Sequence, residues 1–362
     1  MSTQKKSGVD INLGNQCSRI AYGWAKKTFS NREPGTGNPL LTADGGFSNL
    51  MDFNGVKIGI SSDGIGTKIE LAERTGVYNT IGFDLVAMVA DDLAANGIET
   101  VNMSNILDVD LLDSEIVDEL MCGLHDAAGF ANVTITGGEI AELGDRIGGY
   151  GDRMHFNWCA TGIGILPSGK EMIDGRAIKP GDTVIALKSR GFRSNGFSLL
   201  RRIMQENFGP DWHRESYDQE KSWGEILLTP SLIFTPLITK LIKKSIVLNG
   251  ITHITGGGIA DNFSRVLKVN GVGAELTDIF EPLPFMLKVQ ELGNVPEEQA
   301  YLLWNMGNGM LVVLSPDQVE SAGKLITENN YQYRVCGAIT ENPEILIESK
   351  GHQPQRLLTR YK

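Results

Sequence analysis

The stretch Gly59-Ile60-Ser61-Ser62-Asp63-Gly64-Ile65-Gly66-Thr67-Lys68 constrains the fold more than any other part of the chain. An apolar run, Val56 to Ile60, enters it, and a helix-like segment, Ile69 to Arg74, leaves it. A strand therefore ends and a helix begins within one short turn. That turn carries glycines, a carboxylate, a hydroxyl and an ammonium. Glycine lets backbone N–H groups approach a ligand closely, and the start of a helix favours an anion. Asp63 offers oxygen to a divalent cation, and Lys68 offers a mobile positive charge. The stretch reads either as a phosphate site with its metal or as a solvated tight turn. It is not a Walker A loop, because the Gly-x-x-x-x-Gly-Lys-Ser/Thr spacing is absent.

At 362 residues the chain is longer than one core usually supports, so two domains are expected. The turn-rich segment from Pro167 to Asp182 is the best boundary, because a fresh strand (Thr183 to Leu187) follows it. This gives an N-terminal unit, 1–168, and a C-terminal unit, 169–362. Strands and helices intermix without a regular βαβ rhythm, so the expected class is α+β. The net charge of −11 argues against a nucleic-acid or anionic-membrane partner. Cys17, Cys122, Cys159 and Cys336 lack zinc or redox spacing and read as reduced, mostly packed residues. Met1 to Gly8 lacks the apolar core of a signal peptide, and no run of about 18 apolar residues spans a membrane. A soluble cytoplasmic protein is the expectation.

Residues 1–20 read as polar and mobile, and 31–49 as a Gly/Pro/Asn-rich loop. Asn79 to Asn96 is a helix ended by Gly97. At 100° per residue Ile81, Leu85, Met88, Val89 and Leu93 form one apolar stripe. Asp92 falls near its middle, with Asp84 and Asp91 on its flank. A carboxylate on a buried face is costly unless paired or metal-bound, which marks Asp92. Ser114 to Ala128 reads as a second helix. A β-run over Asn132 to Thr136 is expected to break at Gly137-Gly138-Glu139, and Trp158 to Leu166 resumes as strand. In the second half, Arg193-Ser194-Asn195-Gly196 precedes a helix (Phe197 to Asn207), and Ile226 to Lys244 is helical with Pro230 and Pro236 disturbing it. Ile251 to Thr255 is a β-run entering Gly256-Gly257-Gly258 and a helix. The Ile-Thr-Gly-Gly endings at 135–138 and 254–257 hint at two related halves. Short strands are expected at 271–276, 309–314 and 336–339.

Nucleophilic catalysis has little support. There is no Gly-x-Ser-x-Gly and no His-Glu-x-x-His, and no cysteine stands in a nucleophile signature with a histidine partner. His253, on a β-run, reads as a packed residue. No complete Gly-x-Gly-x-x-Gly follows a strand with an acid at the right distance. What remains is a set of strand-end loops at 63–68, 136–139, 193–196 and 255–258, with acids at 63, 92 and 139. Phosphoryl transfer needs metal carboxylates, cationic clamps and backbone N–H donors, and this inventory supplies them.

Six ordered motifs carry a resemblance. They are Asp63-Gly64-Ile65-Gly66-Thr67-Lys68; Thr80 to Met88 with Asp92-Leu93; Gly137-Gly138-Glu139-Ile140-Ala141-Glu142; Ser194-Asn195-Gly196-Phe197-Ser198-Leu199; Leu228-Thr229-Pro230; and His253-Ile254-Thr255-Gly256-Gly257-Gly258. Together they resemble the phosphoribosylformylglycinamidine cyclo-ligase (aminoimidazole ribonucleotide synthetase) family, from Gly8-Val9-Asp10-Ile11 through Asn305 to Met310. The resemblance implies two α/β-sandwich-like domains, with the N-terminal sheet completing a barrel in a homodimer. It implies ATP-dependent closure of formylglycinamidine ribonucleotide to aminoimidazole ribonucleotide, with Mg²⁺ and with K⁺ as a further candidate ion. Asp63, Asp92 and Glu139 become the metal acids. Lys27, Gly64, Thr67 and Lys68 become ATP contacts, and Ser194, Asn195, Gly196 and Thr255, Gly256, Gly257 and Gly258 line the substrate side. Lys68, Asp92, Arg193 and Asn195 are the catalytic candidates.

Three departures stand near this presumed site. Arg193 takes the place of the family's histidine, Glu142 to Ile147 with a longer glycine loop to Gly151 replaces a family segment, and Asn105 stands where an acid is expected. Arg193 is therefore either a phosphate-binding group, for which its bidentate fork suits, or a surface arginine. Two other readings are a superfamily relative with another substrate, and a nucleotide-binding paralogue without turnover.

Overall fold

The structure, a computed structural model, describes residues 11–32, 36–40 and 46–361. Gly8-Val9-Asp10, where the family resemblance begins, lies outside them. Helix α1 (Ile11–Lys26) occupies much of the segment read as mobile. The first half continues with β1 (Asn38–Leu40), β2 (Asn49–Phe53), β3 (Val56–Gly64), α2 (Ile69–Thr75), α3 (Gly82–Ala95), β4 (Glu99–Val109), α4 (Ser114–Ala131), β5 (Thr134–Glu142) and β6 (Phe156–Ile165). The second half contains β7 (Thr183–Lys188), α5 (Phe197–Phe208), α6 (Trp223–Leu227), α7 (Thr235–Lys243), β8 (Gly250–His253), α8 (Gly258–Leu267), β9 (Gly273–Leu276), α9 (Pro284–Leu292), α10 (Glu297–Leu303), β10 (Asn308–Leu314), α11 (Val319–Glu328), β11 (Tyr333–Thr340), β12 (Glu344–Glu348) and β13 (Arg356–Arg360).

Two sheets organise the chain as two sheet-plus-helix domains of mixed α+β type. The first has the order β1-β2-β3-β6-β4-β5, and the second β13-β12-β9-β11-β7-β10-β8. Among the described residues, only β4–β5 and β9–β12 run parallel. Residues 166–182 connect the sheets. Helices α3 and α4 cover one face of the first sheet, which explains the alternation along β4: Met103, Asn105 and Leu107 are buried, while Ser104 and Ile106 are exposed. The opposite face is open and carries apolar side chains, with Val101, Ile106, Ile163 and Ile165 all exposed. In the second sheet β10 is buried along its whole length, as its unbroken Met310 to Leu314 run requires of a strand covered on both faces.

Several expectations are corrected. Gly137-Gly138-Glu139 does not break β5, which shifts register once at Thr136 and then runs on to Glu142 because residues 137–142 pair continuously with β4. The Ile-Thr-Gly-Gly at 135–138 therefore lies inside a strand, whereas 254–257 is a loop, and the two are not equivalent. The long helix expected from Ile226 is two short ones. Pro230 lies in the extended link between them, and Pro236 sits in the first turn of α7 where its missing N–H costs nothing. Among the cysteines, all free, only Cys336 is buried.

Helix α3 positions the site. It lies between the first sheet and the second half, so it is buried nearly all round. Asp84 and Asp91 are two turns apart on the face toward residues 229–235, and both are wholly buried, while Asp92 keeps 16% side-chain exposure. The flank of the apolar stripe, not its middle, thus holds the most buried carboxylates. A helix wheel assumes one buried face, and here the second half covers another.

Candidate active site

The strand end at Asp63 and the helix residue Asp92 form the acidic centre. Asp63 Oδ1 accepts from the Gly64 N–H at 2.7 Å. Burial, with the Asp92 charge beside it, raises the Asp63 carboxyl to about 6. Burial raises Asp92 to about 7 against the opposing charges of Arg265 and Arg193. Two neighbouring carboxylates driven toward their neutral forms are a pair that a hard divalent cation satisfies. This oxygen-donor pair therefore fits Mg²⁺. Ser61 Oγ lies 3.4 Å from Asp92 Oδ2, and His253 Nδ1 lies 2.8 Å from Asp92 Oδ1. Burial and then the Arg193 charge push His253 down to about 3, so it is neutral at physiological pH.

Glu139 does not join them within one chain. Its strand β5 is separated from β3 by β6 and β4, roughly 14 Å at sheet spacing, and no group of three metal-ligating side chains forms among the described residues. It pairs with Ile106 and shares the open face of the sheet. Lys27, exposed after α1, stacks its ammonium over Trp24 at 3.6 Å.

Lys68 is not the mobile charge its sequence context suggests. Its Nζ donates to both oxygens of Asp84 at 2.8 Å and to the Thr229 carbonyl at 2.8 Å, with no exposure. Ser231 Oγ completes the Asp84 carboxylate. Thr67 stays exposed, its hydroxyl 3.2 Å from Ser198 Oγ.

Arg193 is not a surface residue either. It is 1% exposed and donates to Asp91 Oδ2 at 2.9 Å and to the Leu232 carbonyl at 2.9 Å. Asp91 Oδ1 in turn accepts from the Phe234 and Thr235 N–H groups and from Thr235 Oγ1, capping α7 from another element. The two buried pairs, Lys68–Asp84 and Arg193–Asp91, staple residues 229–235 to α3. Sequence reasoning missed Asp84, Asp91, Ser231 and Arg265. The available signal was the spacing of Asp84 and Asp91 on one helix face.

Two glycine loops converge near this centre. Gly196, with φ of 76°, caps α5, and a Cβ there would overlap the Trp304 ring. Gly258 opens α8 with φ of 66°, and a Cβ would stand 1.8 Å from the Tyr301 carbonyl. Asn262 Nδ2, wholly buried, donates to the carbonyls of Thr255, Gly256 and Gly258 and holds that loop. Asn195 Oδ1 lies 3.4 Å from where a Gly256 Cβ would stand, so its side chain reaches from one loop to the other. Ser194 Oγ is buried without a partner. The first turns of α5 and α8 thus bring free backbone N–H donors, a hydroxyl and an amide to one region, an arrangement suited to anionic oxygens.

The other two departures have structural roles. Asn105 is buried and accepts the indole N–H of Trp158 at 3.0 Å. The glycine loop docks at the far end of α2, where Tyr150 N–H donates to Glu73 and Tyr150 O–H to Asp211, under the Arg74 guanidinium at 4.0 Å.

The chain is similar to known proteins over nearly all of its length. Residues 48–164 match AIR synthase related protein, N-terminal domain, and residues 179–348 match AIR synthase related protein, C-terminal domain. A phosphoribosylformylglycinamidine cyclo-ligase from Pyrococcus furiosus is 33% identical over 97% of this chain and 99% of its own. One from Carboxydothermus hydrogenoformans is 36% identical over 95% and 98%. The fold resembles that of a chain in a HypE-HypF complex (TM-score 0.62, 17% identity, 92% and 98% covered). It also resembles thiamine-monophosphate kinase from Stenotrophomonas maltophilia (0.62, 13%, 90% and 95%). No helix among the described residues is long and apolar enough to cross a membrane. With both domains matched and relatives a third identical over nearly their whole length, the chain belongs to the phosphoribosylformylglycinamidine cyclo-ligase family of AIR synthase related proteins.

Proposed function

We propose that the chain is an ATP-dependent cyclo-ligase that converts formylglycinamidine ribonucleotide to aminoimidazole ribonucleotide, releasing ADP and phosphate, in cytoplasmic purine biosynthesis. The observation that carries this reading is the Asp63–Asp92 carboxylate pair, raised to about 6 and 7, beside the glycine loops that open α5 and α8. An amide oxygen is a poor leaving group and a phosphate a good one. ATP therefore phosphorylates the formyl amide oxygen, the amidine-derived nitrogen attacks that carbon, and the C–O bond breaks as phosphate departs with the electron pair. Magnesium, with K⁺ as a further candidate ion, supplies charge neutralisation on the nucleotide phosphates. Asp63 and Asp92 are the residues that would hold it. Thr67 and Gly64 flank the nucleotide, and the backbone N–H groups beside Gly196 and Gly258, with Ser194, Asn195, Thr255, Gly256 and Gly257, receive the phosphorylated substrate.

In this reading residues 1–168 bind ATP and residues 169–362 bind substrate. The open apolar face of the first sheet pairs with a second copy to close a barrel. That pairing brings Glu139, which lies on the same face, and the exposed Lys27 into the assembled dimer, where a buried carboxylate needs a cation. The test is direct. Purified protein, ATP, Mg²⁺ and formylglycinamidine ribonucleotide should yield aminoimidazole ribonucleotide with stoichiometric ADP. ATP turnover on another phosphorylated substrate, with none on this one, would move the chain to a neighbouring activity.

A further inference from the structure

Asp91, Arg193, His253 and Asp92 form one hydrogen-bonded ring that leaves α3 at Asp91 and returns to it at Asp92. Adjacent helical residues point about 100° apart, so the two carboxylates serve different partners. Arg193 Nη2 lies 2.9 Å from Asp91 Oδ2 and 2.7 Å from His253 Nε2, and His253 Nδ1 lies 2.8 Å from Asp92 Oδ1. A guanidinium has only donors. His253 Nε2 must therefore present its lone pair, which leaves the ring proton on Nδ1, aimed at Asp92. This is the tautomer that a neutral histidine side chain in water disfavours. The other tautomer would set N–H against N–H at Nε2 and a lone pair against a carboxylate at Nδ1.

Arg193 is itself fixed. Nη1 donates to the Leu232 carbonyl at 2.9 Å, and the Phe234 ring lies 5.3 Å from the guanidinium carbon. Asp91 is fixed in turn by the first turn of α7. With Oδ1 of Asp92 engaged by His253, Oδ2 is left to Ser61, at 3.4 Å, and to whatever the Asp63–Asp92 pair binds.

We propose that Arg193 is a positioning residue that fixes the His253 tautomer and, through it, the orientation of the Asp92 carboxylate toward the metal–nucleotide. This rests on the reading of Asp92 as a metal acid. It assigns to the departure at 193 a role in supporting a ligand, not in touching substrate.

The first test needs no variant. Long-range ¹H–¹⁵N correlation on protein labelled at histidine, with His253 assigned from His253→Gln, should show a protonated Nδ1 and a bare Nε2. A proton on Nε2, or on both nitrogens, overturns the proposal. The second test separates positioning from folding. Arg193→Met alone strands the buried Asp91 charge, so it is combined with Asp91→Asn. The double variant should melt close to the wild type, lose the Nδ1–H tautomer, and bind Mn²⁺ with ADP about 10–100-fold more weakly by calorimetry. Arg193→Lys, which keeps the charge opposite Asp91 but loses the fork, should show the same weakening. Wild-type Mn²⁺–ADP affinity in either folded variant overturns the proposal. If the wild type itself binds no Mn²⁺ with ADP, it is the nucleotide reading that fails, and the tautomer result remains a separate outcome.

Discussion

Asp84→Asn tests most directly whether the cation in the Asp-Gly-Ile-Gly-Thr-Lys turn is structural. In the native fold Asp84 accepts two hydrogen bonds from Lys68 at 2.8 Å and one from Ser231, and neither Lys68 nor Asp84 is exposed. Asparagine keeps one acceptor oxygen but removes the charge, and its amide N–H₂ faces the Lys68 ammonium. Breaking one side of a buried pair costs about 3–5 kcal/mol, because the remaining ion stays desolvated. With an unfolding entropy of about 2.1 cal/mol/K per residue, a chain of 362 residues unfolding as one unit should melt roughly 4–7 °C lower. The assay is thermal and urea unfolding at pH 7, with the double variant Lys68→Met/Asp84→Leu as control. Removing both charges should recover most of the loss, since an apolar pair of similar volume is often neutral or better. The recovered variant should also retain ADP binding. A melting temperature unchanged in Asp84→Asn, or ADP binding abolished in the recovered double variant, would refute the reasoning and return Lys68 to the phosphate.

Three further outcomes are expected. Asp92→Asn should lower kcat by about 10²–10³ while leaving the melting temperature nearly unchanged, because it removes a charged group aimed at the reaction but keeps its shape; steady-state kinetics with a Mg²⁺ titration checks this. Ile106→Asp on the open sheet face should give a folded monomer by sedimentation, whereas a persistent dimer would place the interface elsewhere. Burial tends to lower the His155 pKa and raise that of Asp110, but their mutual hydrogen bonds at 2.7 Å outweigh it and reverse both shifts. The raised histidine contributes stability below its ordinary 6.5, lost as pH rises through its folded value. The lowered aspartate contributes above its ordinary 3.8, lost as pH falls through its own. The stability difference between wild type and Asp110→Asn should therefore be largest between those two ordinary values, measured by urea unfolding across that range.

Much of the local structure was legible in the residues. The strand–turn–helix at 56–75, the helix ending at Gly97, the β-run entering Gly256-Gly257-Gly258 and the helix after Ser194-Asn195-Gly196 all follow from apolar periodicity and turn chemistry, which act over a few residues. The ordered motifs also carried the family. The partners of buried charges were not legible. A helix wheel can show that Asp84 and Asp91 share one direction and Asp92 takes another, but not which of those directions is covered. That depends on residues 229–235 lying against α3, a contact between positions some 140 apart in sequence. The same contact turned Lys68 from a mobile clamp into a staple and Arg193 from a loop arginine into the donor that orients His253. The sheet register, in turn, puts Glu139 on a face that one chain does not close. Sequence determined which groups are available and which segments form them; the packing of the two halves decided which charges meet, because desolvation and pairing are properties of three-dimensional neighbours alone.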